Sequence, residues 1–323
     1  MPSPNSVFTE LVTTTFRKHR KEFRDNVSKN NALLAYLDKG KHTREEDGGL
    51  SIVEPLDYAS NGTYQRYSGY DVLNIGASDV LSAAEFQWRN IAISVVANGT
   101  DLRNNSGQSR IINLAKARMK NAMRTFKNNF SVDVYSDGTL TNQINGLQAL
   151  VSDTGTGTVG GIDSSVYMFW KNVVQSAAAP LQGGGAVVMS STTIENQMLN
   201  LWLALTRGDD KPTICVADAA YFAMYEASQV SIKRYTSADE AQGGFAKLKY
   251  KTADVIYDGG SGIPANHMYF LNMDYINLVA HKDANMTELS NQQPHNQDAS
   301  VIPIIWQGNL TLGNRALQGV MKA

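Results

Sequence analysis

The sequence predicts an α+β fold, and three observations carry that prediction. Residues 107–130 carry one long amphipathic helical pattern, and residues 302–312 alternate between apolar and polar as a half-buried strand does. Between them, helical and extended patterns follow one another without a regular βαβ repeat. A chain of 323 residues has room for one large domain or two ordinary ones. Its charged fraction, 18%, lies below the roughly 25% of a typical soluble domain, which leaves neutral surface suited to burial against other copies. The formal net charge of −1 argues against a large basic nucleic-acid-binding surface.

The elements follow in order. Residues 7–37 read as a helix whose apolar stripe runs Phe8, Val12, Phe16, Phe23, Val27 and on to Leu33, Leu34 and Leu37. Within it, Arg17, Lys18, Arg20 and Lys21 read either as a solvated basic face or as a weak electrostatic contact with DNA or an acidic partner. Gly and charge at 40–49 break the periodicity. Residues 48–85 are turn-rich, and Asn61-Gly62 between extended stretches is a hairpin signal. With so few large aliphatic residues this segment buries little by itself. Its Tyr58, Tyr64, Tyr67 and Tyr70, with Arg66 among them, suit a contact surface.

The helix at 107–130 places Ile111, Ile112, Ala115, Met119, Met123, Phe126 and Phe130 on one face, over a length of roughly 35 Å. Thr192 and Glu195 have the spacing of a capping box, opening a helix with Ile194, Met198, Leu201, Trp202 and Leu205 inward. The run at 213–217 reads as a strand, with Asp218 capping the helix after it. Residues 245–250, 252–257, 268–271 and 276–280 read as extended. Gly308 marks the expected position of a bulge in the last long strand.

Catalytic chemistry finds little support. The single cysteine, Cys215, excludes an intramolecular disulfide framework and sits in an apolar run as a buried thiol would. The five histidines, 19, 42, 267, 281 and 295, lie far apart, and HExxH, CxxC and GxSxG motifs are absent. Gly155-x-Gly157-x-x-Gly160 matches a dinucleotide-loop pattern, but Leu150-Val151-Ser152-Asp153 makes a poor buried strand before it. The stretch 154–161 therefore reads as a flexible loop, with a nucleotide-using enzyme as a minor alternative. No cofactor and no metal ligand set is expected. No apolar stretch reaches the ~20 residues that span a bilayer. The opening Met1-Pro2-Ser3-Pro4-Asn5 has no basic segment followed by an apolar core, which implies a protein made and kept in the cytosol.

Several short stretches, in order over residues 86–310, carry a resemblance. They are Phe86-Gln87-Trp88-Arg89-Asn90 leading to Val95-Val96-Ala97-Asn98-Gly99, the helix from Ser106, and Tyr135-Ser136-Asp137-Gly138-Thr139. Val159-Gly160-Gly161-Ile162-Asp163 to Trp170-Lys171-Asn172, Gly244-Phe245, Tyr269-Phe270-Leu271-Asn272 and Trp306-Gln307-Gly308-Asn309-Leu310 complete them. In this order the sequence resembles the major capsid proteins of tailed double-stranded-DNA phages, which share the Hong Kong ninety-seven fold.

The resemblance implies a structural protein, not an enzyme: a subunit that assembles into an icosahedral shell around the phage genome. It implies an N-terminal arm at 1–47, an E-loop at 48–85, a peripheral domain with its spine helix at 86–137, an axial domain at 138–267, and return strands of the peripheral domain at 268–323. Tyr58, Tyr64, Arg66, Tyr67 and Tyr70 are then candidate intersubunit contacts. Arg17, Lys18, Arg20 and Lys21 are candidate contacts to internal DNA or scaffold. The implied partners are further copies in pentamers and hexamers, portal and scaffolding proteins, a cement protein as a further candidate, and packaged DNA by weak non-specific contact, without a membrane. The implied location is the virion capsid, and the host cytoplasm during assembly. An encapsulin compartment of the same fold is the second reading. Some members of this fold family join an E-loop lysine to an asparagine of another subunit; between Lys41 and Lys116 this chain has no lysine, so the amine that such a bond needs is missing there.

Overall fold

The computed structural model describes residues 32–40, 42–99, 108–229, 247–259, 262–290, 292–293 and 296–323. In chain order the elements begin with α1 (Ala32–Lys39), β1 (Thr43–Glu46), β2 (Ile52–Asp57), β3 (Leu81–Phe86), β4 (Arg89–Asn98), α2 (Gln108–Asp133) and α3 (Leu147–Leu150). There follow β5 (Thr158–Val159), β6 (Ile162–Asp163), β7 (Val173–Ser176), α4 (Ile194–Leu205), β8 (Ile214–Ala217) and α5 (Ala219–Ser228). The chain closes with β9 (Lys247–Tyr250), β10 (Ala253–Tyr257), β11 (His267–Leu271), β12 (Ile276–Glu288), β13 (Ala299–Leu312) and β14 (Gly319–Lys322). The expected helix at 7–37 is described only from Ala32, where Leu33, Leu34 and Leu37 are buried; Arg17, Lys18, Arg20 and Lys21 lie outside the described residues.

Two sheets organise the molecule. One has the order β1-β12-β13-β4, and the other β7-β14-β11-β8-β10-β9. In the first, β13 alternates as its sequence demands: Ile302, Ile304 and Trp306 turn inward while Val301, Pro303 and Ile305 stay partly exposed. Helix α2 covers the inward face. Met119, Ala122, Phe126 and Phe130 are buried, and the Phe130 ring meets Phe126 at 5.4 Å and the edge of Trp306 at 5.1 Å. With 26 residues the helix runs three residues past its expected end, about 39 Å in all.

At its centre the second sheet is buried on both faces, which is why all four residues of β8 are buried in succession. Cys215 and Ala217 face α4 and α5, among Met198, Leu201, Leu205, Phe222 and Tyr225. Ile214 and Val216 face the main core with Tyr269, Leu271 and Val320. Burial pushes the Cys215 thiol well above its usual range, consistent with a packing role.

Three local expectations change. Asp218 does cap α5, accepting from the Tyr221 amide at 2.9 Å, but Thr192 and Glu195 do not form a capping box. A turn with Ile194 N bonded to Ser190 O precedes α4, and the Glu195 carboxylate accepts from Gln229 Nε2 instead. The bulge lies not at Gly308 but in its partner strand: the register moves from Ala280↔Gly308 to Asn285↔Trp306, so the extra residues are on β12. Gly308 is required by close approach, since a Cβ there would stand 2.3 Å from the Val279 carbonyl oxygen. Asn61-Gly62 is not a two-residue hairpin turn, because β2 and β3 pair only from Ile52↔Phe86 to Asp57↔Leu81. The six-stranded sheet holds β11 and β14, whereas β12 and β13 belong to the four-stranded one.

The ring cluster under α2 gives a stability prediction. Phe130→Ala removes a buried ring between Phe126 and Trp306 and should cost about 3–5 kcal/mol in chemical denaturation. Thr125→Ala on the exposed face of the same helix should stay within about 0.5 kcal/mol of the parent.

Candidate assembly interface

The β2–β3 hairpin is built in two parts with opposite physical character. Its base belongs to the core: Ile52, Leu56, Ala84 and Phe86 are buried. Glu54 is buried with them and accepts from Arg44 Nη2 at 2.9 Å and from Thr311 Oγ1 at 2.8 Å, so the carboxylate is both paired and hydrogen-bonded. Trp88 Nε1 donates to Gly49 O at 3.0 Å just beyond the hairpin. Tyr58 closes the base, with its amide on Val80 O at 3.0 Å and its ring 5.6 Å from that of Phe169. It is thus partly buried against its own chain, unlike the other tyrosines proposed for contact.

The tip, residues 59–80, is held by polar bonds between side chains and backbone. Asn61 Oδ1 accepts from the Thr63 amide and hydroxyl, an Asx turn. Gln65 spans the tip, donating from Nε2 to Val72 O and accepting at Oε1 from the Asn74 amide; Asn74 Nδ2 donates to Gly62 O. The carbon surface points outward: Tyr64 is 83% exposed, Val72 and Ile75 are each 91% exposed, and Tyr67, Tyr70, Leu73 and Arg66 also lie in solvent. The sequence pattern singled out the tyrosines and Arg66 but missed Val72, Leu73 and Ile75, which three aliphatic side chains within four residues of a turn-rich segment could have flagged. A cluster of this kind is what an interface requires and what a solitary soluble loop avoids.

The glycine stretch beside the hairpin is not a phosphate cradle. It forms the small β5–β6 hairpin, whose turn glycines Gly160 and Gly161 have φ of 58° and 76°. Gly160 O accepts from the Glu85 amide at 2.9 Å, and a Cβ on Gly160 would stand 2.8 Å from Ala84 Cβ. A strand, not a helix, follows it. Its carbonyls turn inward onto Arg315, whose guanidinium donates to Leu150 O (2.9 Å), Gly157 O (3.1 Å), Thr156 O (3.3 Å) and Trp170 O (3.4 Å). Ser152 Oγ and Ser164 Oγ accept as well. Burial pushes this guanidinium down to about 10, so it stays charged at neutral pH. The stretch is a tied structural element and not a flexible loop.

Among the described residues no three His, Cys, Asp or Glu side chains gather as a metal site. His281 rests against Trp88, ring centroids 5.5 Å apart. His267 is bonded at both ring nitrogens, with Asp153 Oδ2 at 2.9 Å from Nε2 and Ala265 O at 2.7 Å from Nδ1. Two acceptors favour the doubly protonated ring. Burial alone pushes His267 down, but Asp153 and Ala265 O outweigh it and hold it above its usual value. The same bond holds Asp153 below its usual carboxylate range.

No family model and no curated protein matches the sequence. Solved structures match it in fold. The capsid asymmetric unit of cyanophage A-1(L) superposes with a TM-score of 0.64 at 13% identity, covering 88% of this chain and 90% of that one. The native GTA particle capsid gives 0.54 at 12% identity, with 88% of each chain covered. The capsid of Myoviridae phage XM1 gives 0.53 at 11% identity, over 89% of this chain and 91% of that one. The α+β fold of these capsid proteins is therefore the fold of this chain along most of its length.

The His267–Asp153 bond sets a pH dependence. A histidine with a raised folded value contributes stability that is complete below its ordinary value of 6.5 and is lost as pH rises through the raised one. A depressed aspartate contributes above its ordinary value of 3.8 and loses that contribution as pH falls through the depressed one. Both contributions are present between 3.8 and 6.5. His267→Gln should lower the melting temperature of the unassembled subunit most in that window, by the equivalent of about 0.5–1 kcal/mol given the solvent access of Asp153. A gap that does not change with pH contradicts this.

Proposed function

We propose that this chain is the major capsid subunit of a tailed bacteriophage, assembling without catalysis into a closed icosahedral shell around double-stranded DNA. The observation that carries the reading is the pairing of a capsid fold with a hairpin tip whose apolar side chains have no cover in the subunit. Burying a side chain such as Tyr64, Val72 or Ile75 contributes about 1.5–3 kcal/mol, enough in concert to favour association.

Within this reading, residues 1–47 act as the arm, 48–85 as the E-loop, 86–137 as the peripheral domain and 138–267 as the axial domain. Residues 268–323 return to the peripheral domain through β12 and β13. Tyr58, Tyr64, Arg66, Tyr67 and Tyr70 contact a neighbouring copy, with Tyr58 also packed at the base of the hairpin. Arg17, Lys18, Arg20 and Lys21 meet DNA or scaffold. Copies gather in pentamers and hexamers with portal and scaffolding proteins and a cement protein. The subunit passes through the host cytoplasm before it resides in the virion.

Two proteins test the reading: the parent, and a variant in which Asn-Gly joins Tyr58 directly to Val80. Negative-stain images and sedimentation should show closed shells for the parent. The variant should melt within a few degrees of the parent and remain unassembled, since the tip makes few contacts within the subunit. A parent that stays monomeric at high concentration with and without scaffold, or a shortened variant that still forms shells, contradicts the proposal. Shells that enclose a protein cargo in place of DNA would support the encapsulin reading instead.

A further inference from the structure

We propose that the solvent face of α2, carried by Lys120, Arg124 and Lys127, is the surface on which the assembled subunit holds packaged duplex DNA by its phosphates. This rests on the capsid reading above and names the part of the subunit that meets the cargo. Helix α2 contains six arginines and lysines and one acid, Asp133, so it carries +5 in a chain whose net charge is −1. No acidic residue occurs from 102 to 132. An amphipathic helix with a merely solvated face usually intersperses both signs, because Glu–Lys pairs four apart stabilise it and like charges at that spacing do not. Lys120 and Arg124 are such a like-charged pair. The helix retains this repulsion next to Lys127.

The geometry narrows the partner. Met119, Ala122, Phe126 and Phe130 bury one side of the helix, while Lys120 and Arg124 are exposed on another and Lys127 borders them, partly buried. Among the described residues none of the three has a carboxylate partner. Arg118 differs, since its Nη1 donates to Val96 O on the outer strand β4. The three cations span seven residues, a rise of about 10 Å. One DNA strand advances 3.4 Å per phosphate, so such a row meets about three phosphates. Asn121 and Asn128, also exposed, flank the row with amide donors for phosphate or sugar.

The other side of the same layer has the opposite character. On β4 and β13 the face away from α2 presents Ala92, Ser94, Val96, Val301, Pro303 and Ile305, without a charge. Around β4 and β13 the layer is thus cationic on its helix side and neutral on the other, which distinguishes the side of a polyanion from the side of other contacts. The hairpin tip of a second copy is the competing occupant of the basic row. Its exposed Tyr64, Val72 and Ile75 need carbon surface, and the row offers cations and carboxamides.

The test is fluorescence anisotropy of a short labelled DNA duplex with the full unassembled chain, titrated from low to near-physiological salt. Relative to the parent, K120Q/R124Q/K127Q should lower the slope of log affinity against log salt by about 2.7, or 0.9 per phosphate lost. A tenfold rise in salt then weakens the ridge's share of binding by about 500-fold in the parent and not in the variant. R17Q/K18Q/R20Q/K21Q should leave the ridge's share in place. If the triple variant folds poorly, R124Q alone should lower the slope by about 0.9. An unchanged slope overturns the inference. So does a variant that keeps duplex binding but loses affinity for a peptide of residues 58–80, which would make the row a subunit contact. Microscopy of both proteins without DNA separates this from the capsid reading. Shells from parent and triple variant with equal duplex slopes sink the DNA surface alone, whereas a parent without shells sinks the capsid reading whatever the slopes.

Discussion

Arg315 is a fully buried cation, and its hydrogen-bond acceptors are carbonyls and hydroxyls with no carboxylate among them. Taking such a group out of water costs several kcal/mol unless every N–H finds an acceptor. The acceptors are supplied by residues 150–157, Ser164 and Trp170, so these segments converge where the guanidinium lies. That convergence fixes the β5–β6 hairpin, and the Gly160 turn then abuts Ala84 and accepts from the Glu85 amide. The direction of the β2–β3 hairpin thus follows from where one arginine is buried. Glu54, held by Arg44 and Thr311, fixes the same hairpin through its other strand.

The consequence is a rigid base that carries a tip of inverted polarity. Inside the tip, Asn61, Gln65 and Asn74 satisfy backbone groups, and outside it the aromatic and aliphatic side chains meet water. An isolated loop with this arrangement gains nothing from its carbon surface. A loop that finds a second copy gains all of it, without first reorganising its backbone. The low charge fraction and the absence of lysine from 42 to 115 fit the same non-covalent scheme.

Much of this was legible in the sequence, and what was not has physical reasons. Periodicity identified α2, α4 and β13 because a packed face repeats every 3.6 or 2 residues. Asp218 was legible as a cap because its bond is local, whereas the Thr192–Glu195 box failed when Gln229, 34 residues away, took the carboxylate. The bulge at β12 and the need for Gly308 depend on which strands pair, and no single strand encodes that. Arg315 left no pattern at all: its acceptors are backbone carbonyls and serine hydroxyls up to 165 residues away. The tip was only half legible, since Tyr and Arg66 stood out by type while Val72, Leu73 and Ile75 matter by exposure.

Amide hydrogen exchange on the unassembled subunit and on assembled shells tests most directly whether a fixed base presents a free tip. The account predicts slow exchange at 52–57 and 81–86 in both states, including the Glu85 amide on Gly160 O. Amides at 60–78 should exchange quickly in the subunit and slowly in the shell. A tip already as protected as its base in the free subunit, or one that stays unprotected after assembly, would contradict it.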